Sequence, residues 1–146
     1  MKKVSSILLF TFDAHMDASI MSAVDETCEQ MGLARADGQR LTFTKDGHAN
    51  MKPEDGGVVW GVLWVVPATA MVSLDAWARS HGLERGVAFI VCPAGPRVPA
   101  TAYFAPGAEE GEPKAEEVEA IVQAARRARI DSRYLANLEA FRKVSR

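Results

Sequence analysis

The sequence predicts an α+β fold in one domain. Three observations carry this reading: strand-forming segments come first, helical periodicity gathers late, and no repeat, low-complexity tract or linker divides the 146 residues. A chain of this length buries about two-thirds of its unfolded surface in one core. Apolar residues make up 48% and charged residues 25%, and 17 basic against 19 acidic side chains leave a net charge of −2. That balance argues against a disordered chain and against a basic nucleic-acid binder.

The first element is Val4 to Phe12 (VSSILLFTF), short, apolar and rich in β-formers. From Asp17 the apolar positions Ile20, Met21, Val24, Cys28 and Met31 recur at helical spacing, with Asp17 as cap and Gly32 as stop. Leu41 and Phe43 alternate with Thr42 and Thr44 in a half-buried strand, and KDGHANMKPEDGG reads as a polar turn region. VVWGVLWVV is the strongest strand, its Gly61 marking a bulge or a close backbone approach. Ala68 to His81 is an amphipathic helix with Met71, Leu74, Trp77 and Ala78 on one face, ended by Gly82. GVAFIVCP and TAYFAP are further strands, separated by a loop holding Gly95, Pro96 and Pro99. Residues 109–128 form a helix with acids first and arginines last, as the macrodipole favours, and a final helix runs from Asp131 to Val144.

The longest apolar stretch, Gly57 to Val72, is about 16 residues with Pro67 inside it, whereas a membrane-spanning helix needs about 20. MKKVSSILLF imitates a signal peptide, but Asp13, His15 and Asp17 follow at once and no small-residue cleavage site closes the run. The expectation is a cytoplasmic chain beginning at Met1, with no membrane and no nucleic acid as partner. Cys28 and Cys92 are too few for a disulfide framework, although the sequence leaves one bridge between them open.

Six segments, in order, resemble the γ-glutamylcyclotransferase superfamily over nearly the whole chain. LLFTFDAHM stands where that family has a strand ending in Tyr-Gly-Ser-Asn-Met, and GQRLTFTKDGHAN resembles its next strand and turn. GGVVWGVLWVV is similar to its Val-Trp-Gly strand, and SLDAWARSHGLERGVAFIV to its Leu-Asp-x-x-Glu-Gly helix and following strand. ATAYFAP resembles its tyrosine-bearing strand, and RIDSRYLANL its terminal Tyr-x-x-x-Leu helix. The resemblance implies a small mixed β-barrel flanked by helices. It also implies a ligand pocket formed by Phe12, Asp13, Ala14, His15 and Met16 of the first loop, with Asn50, Asp75, Ala78, Tyr103 and Tyr134.

Departures from the pattern bear on activity. In that family the glutamate four residues after the helix leucine takes and returns the protons of lactam formation; here Leu74 and Asp75 are kept and the position is Ala78. A carboxylate in an apolar pocket contributes roughly 10² to 10⁴ in rate as general acid and base, and a methyl group contributes none. The Gly-Ser-Asn loop, whose amides would stabilise an anion, becomes Asp13-Ala14-His15. A fixed negative charge about 4 Å from an anionic headgroup opposes it by roughly 4 kcal/mol at an effective dielectric of about 20. In an extended segment Asp13 and His15 point to one side, where they can pair and serve as a substitute proton shuttle. The competing reading is that both are local loop residues.

Other residues read as structural. Asp17 is a cap, Asp75, partly exposed by pattern, reads as a capping or pairing carboxylate, and Glu84, following the helix, reads as a surface residue with a displaced catalytic acid as the alternative. Trp60, Trp64 and Trp77 have core spacing, and His48 and His81 fall at a turn and a helix end. Asp13, His15 and Asp17 could offer metal ligands on one face, but nothing else has ligand spacing, so no metal and no cofactor are expected. The acidic then basic C-terminal stretch reads as solvated helix faces, compatible with a subunit contact such as a homodimer.

Three function classes follow. One is an enzyme with altered chemistry, an acyl transferase releasing 5-oxoproline or a related amide-cleaving activity. The second is a silent relative holding a small amine- or amide-bearing metabolite, and the third is an interaction module. The absent carboxylate at Ala78 favours a ligand holder whose standard activity is lost or altered.

Overall fold

A computed structural model of the chain describes residues 6–93 and 95–143. Strand β1 (Ser6–Thr11) buries Leu9 and Phe10 and ends where Asp13 opens a 3-10 turn, Ala14–Met16. The Asp13 carboxylate holds that turn by accepting from the His15 backbone N–H at 3.0 Å. Asp17 caps the next element, α1 (Ala18–Val24), accepting from the Ser19 N–H at 3.0 Å. Its other oxygen takes Arg127 Nη1 at 2.5 Å, which ties this corner to the C-terminal half.

Strands β2 (Glu29–Phe43) and β3 (Ala49–Pro67) form a long antiparallel hairpin around the turn at Lys45 to His48. Then come α2 (Ala68–Ser80), β4 (Glu84–Val91), β5 (Arg97–Phe104), α3 (Ala115–Ala128) and α4 (Ser132–Ala140), with a last 3-10 turn at Phe141–Lys143. The five strands close into a barrel in the order β1-β3-β2-β4-β5. Neighbours are antiparallel except at the closing seam, where β5 runs parallel to β1 at the pair Leu9 and Thr101. The α+β barrel flanked by helices is the fold class the sequence and its resemblance predict.

The core is continuous. Trp64, Phe10, Leu9, Met51 and Val62 pack with Met71 and Leu74 of α2 and with Ile121 and Val122 of α3. Gly61 belongs to it by absence: a Cβ there would stand 2.1 Å from the Thr11 carbonyl oxygen and 2.8 Å from the Phe10 ring. This is the close backbone approach that a glycine in a strong strand signals.

Four boundaries differ from the sequence reading. The first helix stops at Val24 instead of Gly32, and Cys28 and Met31 lie outside it, Met31 exposed on β2. The apolar spacing was compatible with either state, and pairing of Glu29 to Phe43 with β3 supplies the backbone bonds that decide for strand. Gly32 (φ +128°) sits at a bulge of that ladder, not at a helix end. The polar segment 49–57 is strand, its exposed Pro53 to Gly56 lying at a bulge of the ladder between the Gln39–Pro53 and Asp37–Val58 pairs. Pro99 lies within β5, paired with Phe89, and α3 begins at Ala115, two residues past Pro113, leaving 109–114 extended. Val4 and Val144, at the outer ends of the predicted first strand and last helix, lie outside the described residues.

Candidate functional site

Where β1 ends, the chain borders a small cavity. Asp13 and His15 of the 3-10 turn, Ala49 of β3, Leu74 and Trp77 of α2 and Tyr103 of β5 stand on its wall, with a volume of about 20 Å³. That is room for about one water molecule.

The Asp13 and His15 side chains pair on this wall. His15 Nδ1 lies 3.1 Å from Asp13 Oδ2 and 3.2 Å from Oδ1, and each side chain is 12% exposed. Burial alone would raise the Asp13 pKa, but the charge and hydrogen bonds of His15 outweigh it and hold the carboxyl below its ordinary value. For His15, burial works to lower the pKa, and Asp13, with a further contribution from Glu117, carries it above the ordinary value. The pair therefore holds a proton more firmly on the imidazole.

Trp77 organises the surroundings. Its ring meets His15 edge-on at 4.5 Å and His81 at 4.7 Å, and the His81 ring lies 4.1 Å from that of His48. The chain contains three histidines, and all three meet here although 33 residues separate each from the next. His81 ends α2, its Nδ1 2.8 Å from the Trp77 carbonyl oxygen and 2.9 Å from Ser80 Oγ. His48 Nδ1 is buried without a hydrogen-bond partner among the described residues and lies 3.9 Å from Glu117 Oε1. Burial, with His81 and Lys114 nearby, holds the His48 pKa down.

Glu117, in the first turn of α3, is the residue the sequence reading missed. Its Oε2 accepts from the Ala49 backbone N–H at 3.0 Å, so the carboxylate lies directly behind the cavity wall. Burial raises its pKa and the Asp13 charge adds to this, against the Ala49 hydrogen bond and the nearby His81 and His15. In sequence Glu117 is one acid in a helical run of acids. The signal that marks it is tertiary: the turn at Gly47 abuts Lys114, and a Cβ on Gly47 would stand 2.8 Å from the Lys114 backbone nitrogen.

The other candidates are distributed as follows. Phe12 borders the cavity, and Ala14 and Met16 belong to the same turn, with Met16 buried. Asn50 makes both amide bonds to Ala105, donating to its carbonyl at 2.8 Å and accepting from its N–H at 2.7 Å, which clamps the end of β5. Asp75 is gripped by Arg85 through two bonds of 2.7 and 2.8 Å and accepts from Tyr103 Oη at 2.6 Å. It therefore reaches the cavity only through Tyr103, whose pKa burial and the Asp75 bond drive upward. Ala78 is fully buried in the helix and is not on the cavity wall, and Tyr134, a buried residue of α4, does not line it either. Glu84 is exposed at the start of β4, on a surface groove with Arg79 and Arg85. Trp77, read as core, is a cavity residue, and Trp64 fills the core and donates to Thr11 Oγ1 at 2.9 Å. Cys28 and Cys92 are free. Among the described residues no group of three or more His, Cys, Asp or Glu is placed to hold a metal ion, and no helix is long and apolar enough to cross a membrane.

The closed mixed barrel of five strands flanked by helices has the γ-glutamylcyclotransferase-like fold. Residues 58–138 match the AIG2-like family, and the chain belongs to that family. A solved structure named gamma-glutamyl cyclotransferase superimposes with a TM-score of 0.83 over 93% of this chain and 88% of that one, at 20% identity. The uncharacterized protein loc79017 from Homo sapiens gives 0.82 over 92% and 87%, at 18% identity. An aig2-like protein from Mus musculus gives 0.55 over 68% of this chain and 77% of that one, at 14% identity. At such identities the likeness establishes the fold. No curated protein sequence matches the chain.

Proposed function

We propose that this protein holds a small amine- or amide-bearing metabolite by its head group in the cavity beside Asp13 and His15, with ordinary γ-glutamyl cyclisation absent or weak. The observation that carries the reading is the buried Asp13–His15 pair on the cavity wall. A preorganised acid and imidazole in an apolar recess recognise a polar nitrogen-containing group, and the same pair can move a proton. The cavity, about 20 Å³, has room for about one water molecule, so a head group would replace that water at its mouth.

We infer loss of the standard reaction from the family pattern alone, since Ala78 lies off the cavity wall while the Asp13–His15 pair stands on it and the Glu117 carboxylate behind it. In lactam formation the attacking amine must lose a proton and the departing amine must gain one. Where the family pattern has a glutamate this chain has Ala78, and Asp13 replaces loop chemistry that would hold an anion. The test incubates the protein with a panel of γ-glutamyl peptides and γ-glutamylamines and follows 5-oxoproline by mass spectrometry. The expected result is release no faster than from a heat-killed control, together with saturable chemical-shift changes at His15 on adding panel members. Steady turnover would overthrow the loss of activity. A panel that leaves His15 unmoved, in a protein whose His15 titrates normally, would overthrow the binding reading.

A further inference from the structure

The turn between β2 and β3 is closed by its own backbone: the Thr44 N–H donates to the His48 carbonyl and the Gly47 N–H to that of Thr44, both at 2.8 Å. Two sides fasten it to the rest of the molecule. Toward α3, the Lys114 N–H donates to the Gly47 carbonyl at 3.3 Å, and Glu117 Oε2 takes the Ala49 N–H at 3.0 Å. Toward α2, the contact is the His48 ring against the His81 ring, 4.1 Å apart. An open groove of about 300 Å³, bordered by Thr44, Lys45 and Asp46 of the turn and by His81 and Gly82, brings solvent to the rim of that contact.

The contact suits neutral rings. A protonated imidazole has two N–H donors to satisfy. Nδ1 of His48 is buried with no hydrogen-bond partner among the described residues, and the carboxylate oxygen beside it, Glu117 Oε1, stands at 3.9 Å, beyond bonding reach. The turn has no room to advance on α3, because a Cβ on Gly47 would already stand 2.8 Å from the Lys114 backbone nitrogen. His81 is held in place by the Trp77 carbonyl, 2.8 Å from its Nδ1, so the His48 side is the one that can leave. The charged groups around the two rings are Lys45 and Asp46 on the turn, Lys114 and Glu117 at the start of α3, Glu109 at the groove and, across Trp77, the paired Asp13 and His15. Lys45 and Glu109 pair with each other at 3.0 Å, which leaves Asp46 and Glu117 to offset Lys114 and the histidines. Burial raises the Glu117 pKa, so acidification withdraws negative charge here while it adds positive charge.

We propose that His48 and His81 form an acid-sensitive latch: neutral, they hold the 44–48 turn against the end of α2, and, both protonated, they push it away and draw Ala49 off the cavity wall. The inference concerns the wall and stands whatever occupies the cavity. Burial and the nearby His81 and Lys114 hold the His48 pKa below its ordinary value in the closed turn. Opening therefore takes up protons, and acid favours it.

The test follows His48 by NMR from about pH 7.5 to about pH 5, with amide hydrogen exchange referred to the intrinsic rate of each amide, in the wild type, His48→Gln and His81→Gln. In the wild type, protection of the Ala49 and Lys114 amides is expected to fall about tenfold over this range while the β1–β3 ladder keeps its own, and His48 titrates below about pH 6.5. Either glutamine variant reduces the fall to about threefold or less, and His81→Gln lets His48 bind a proton about threefold or more tightly. An equal loss of protection in all three proteins would assign it to Glu117 and overturn the latch. Protection that rises in acid, with His48 settling onto Glu117, would overturn it as well. Should His81→Gln fold poorly, His48→Gln and the wild-type titration decide: a His48 midpoint at or above that of an unperturbed histidine sinks the proposal.

Discussion

The Asp13–His15 contact couples the stability of the fold to pH in a defined window. His15 has a folded-state pKa above its unfolded value, so its contribution is full below about pH 6.5 and is lost as pH rises through the folded value. Asp13 is depressed, so its contribution is present above about pH 4 and is lost as pH falls through the folded value. Both operate between those limits. Asp13→Asn is therefore expected to cost about 1.5–3 kcal/mol near pH 5, a penalty that shrinks as the solution is made alkaline past His15; urea denaturation at a series of pH values reads it. In sequence the pairing depended on an extended segment; the structure instead turns 14–16 into a 3-10 helix, and Asp13 meets His15 as its cap. The company they keep was not legible there. His81 meets Trp77 locally at the end of α2, whereas His15, from the end of β1, reaches Trp77 and His48, from a turn, reaches His81 only in the folded chain. Glu117 carries no local mark that distinguishes it from Glu116 beside it, which is exposed.

At the level of elements, legibility followed the strength and length of the periodic signal. Ala68 to Ser80 emerged as a helix because Met71, Leu74 and Ala78 hold one face and Gly82 ends it, and residues 58–66 emerged as a strand because nothing in them favours another state. β2 was harder. Glycines at 32 and 38 interrupt its alternation at bulges, and its first residues continue the helical spacing of α1, so only the partner strand fixes its extent. Within β3, Gly61 is a position where the packing leaves no room for a side chain. Gly61→Ala forces a methyl against the Thr11 carbonyl and the Phe10 ring and is expected to destabilise the protein by about 2 kcal/mol or more in chemical denaturation. Because Thr11 also bonds Trp64 and the His15 carbonyl, the displaced strand end should shift the His15 resonances as well.

For the whole molecule, the barrel is built from two unequal parts. One is the β1-β3-β2 sheet, with long continuous ladders. The other is the β4-β5 hairpin, paired along its full length with itself but joined to the larger sheet by one register pair on each side, Arg35 with Val91 and Leu9 with Thr101. The Asp75–Arg85 pair adds a tie to α2, and as a largely exposed contact it contributes less than about 1 kcal/mol. Such a seam divides the chain into units that open with different free energies. In native-state hydrogen exchange the backbone amides of β4 and β5 are expected to exchange together and ahead of those pairing β1 to β3, and a single common protection across all five strands would contradict this. The hairpin also carries Tyr103, one wall of the cavity. If that hairpin does open ahead of the larger sheet, the recess at Asp13 and His15 is uncovered with it, and exchange at Tyr103 and access to the recess are expected to share one rate.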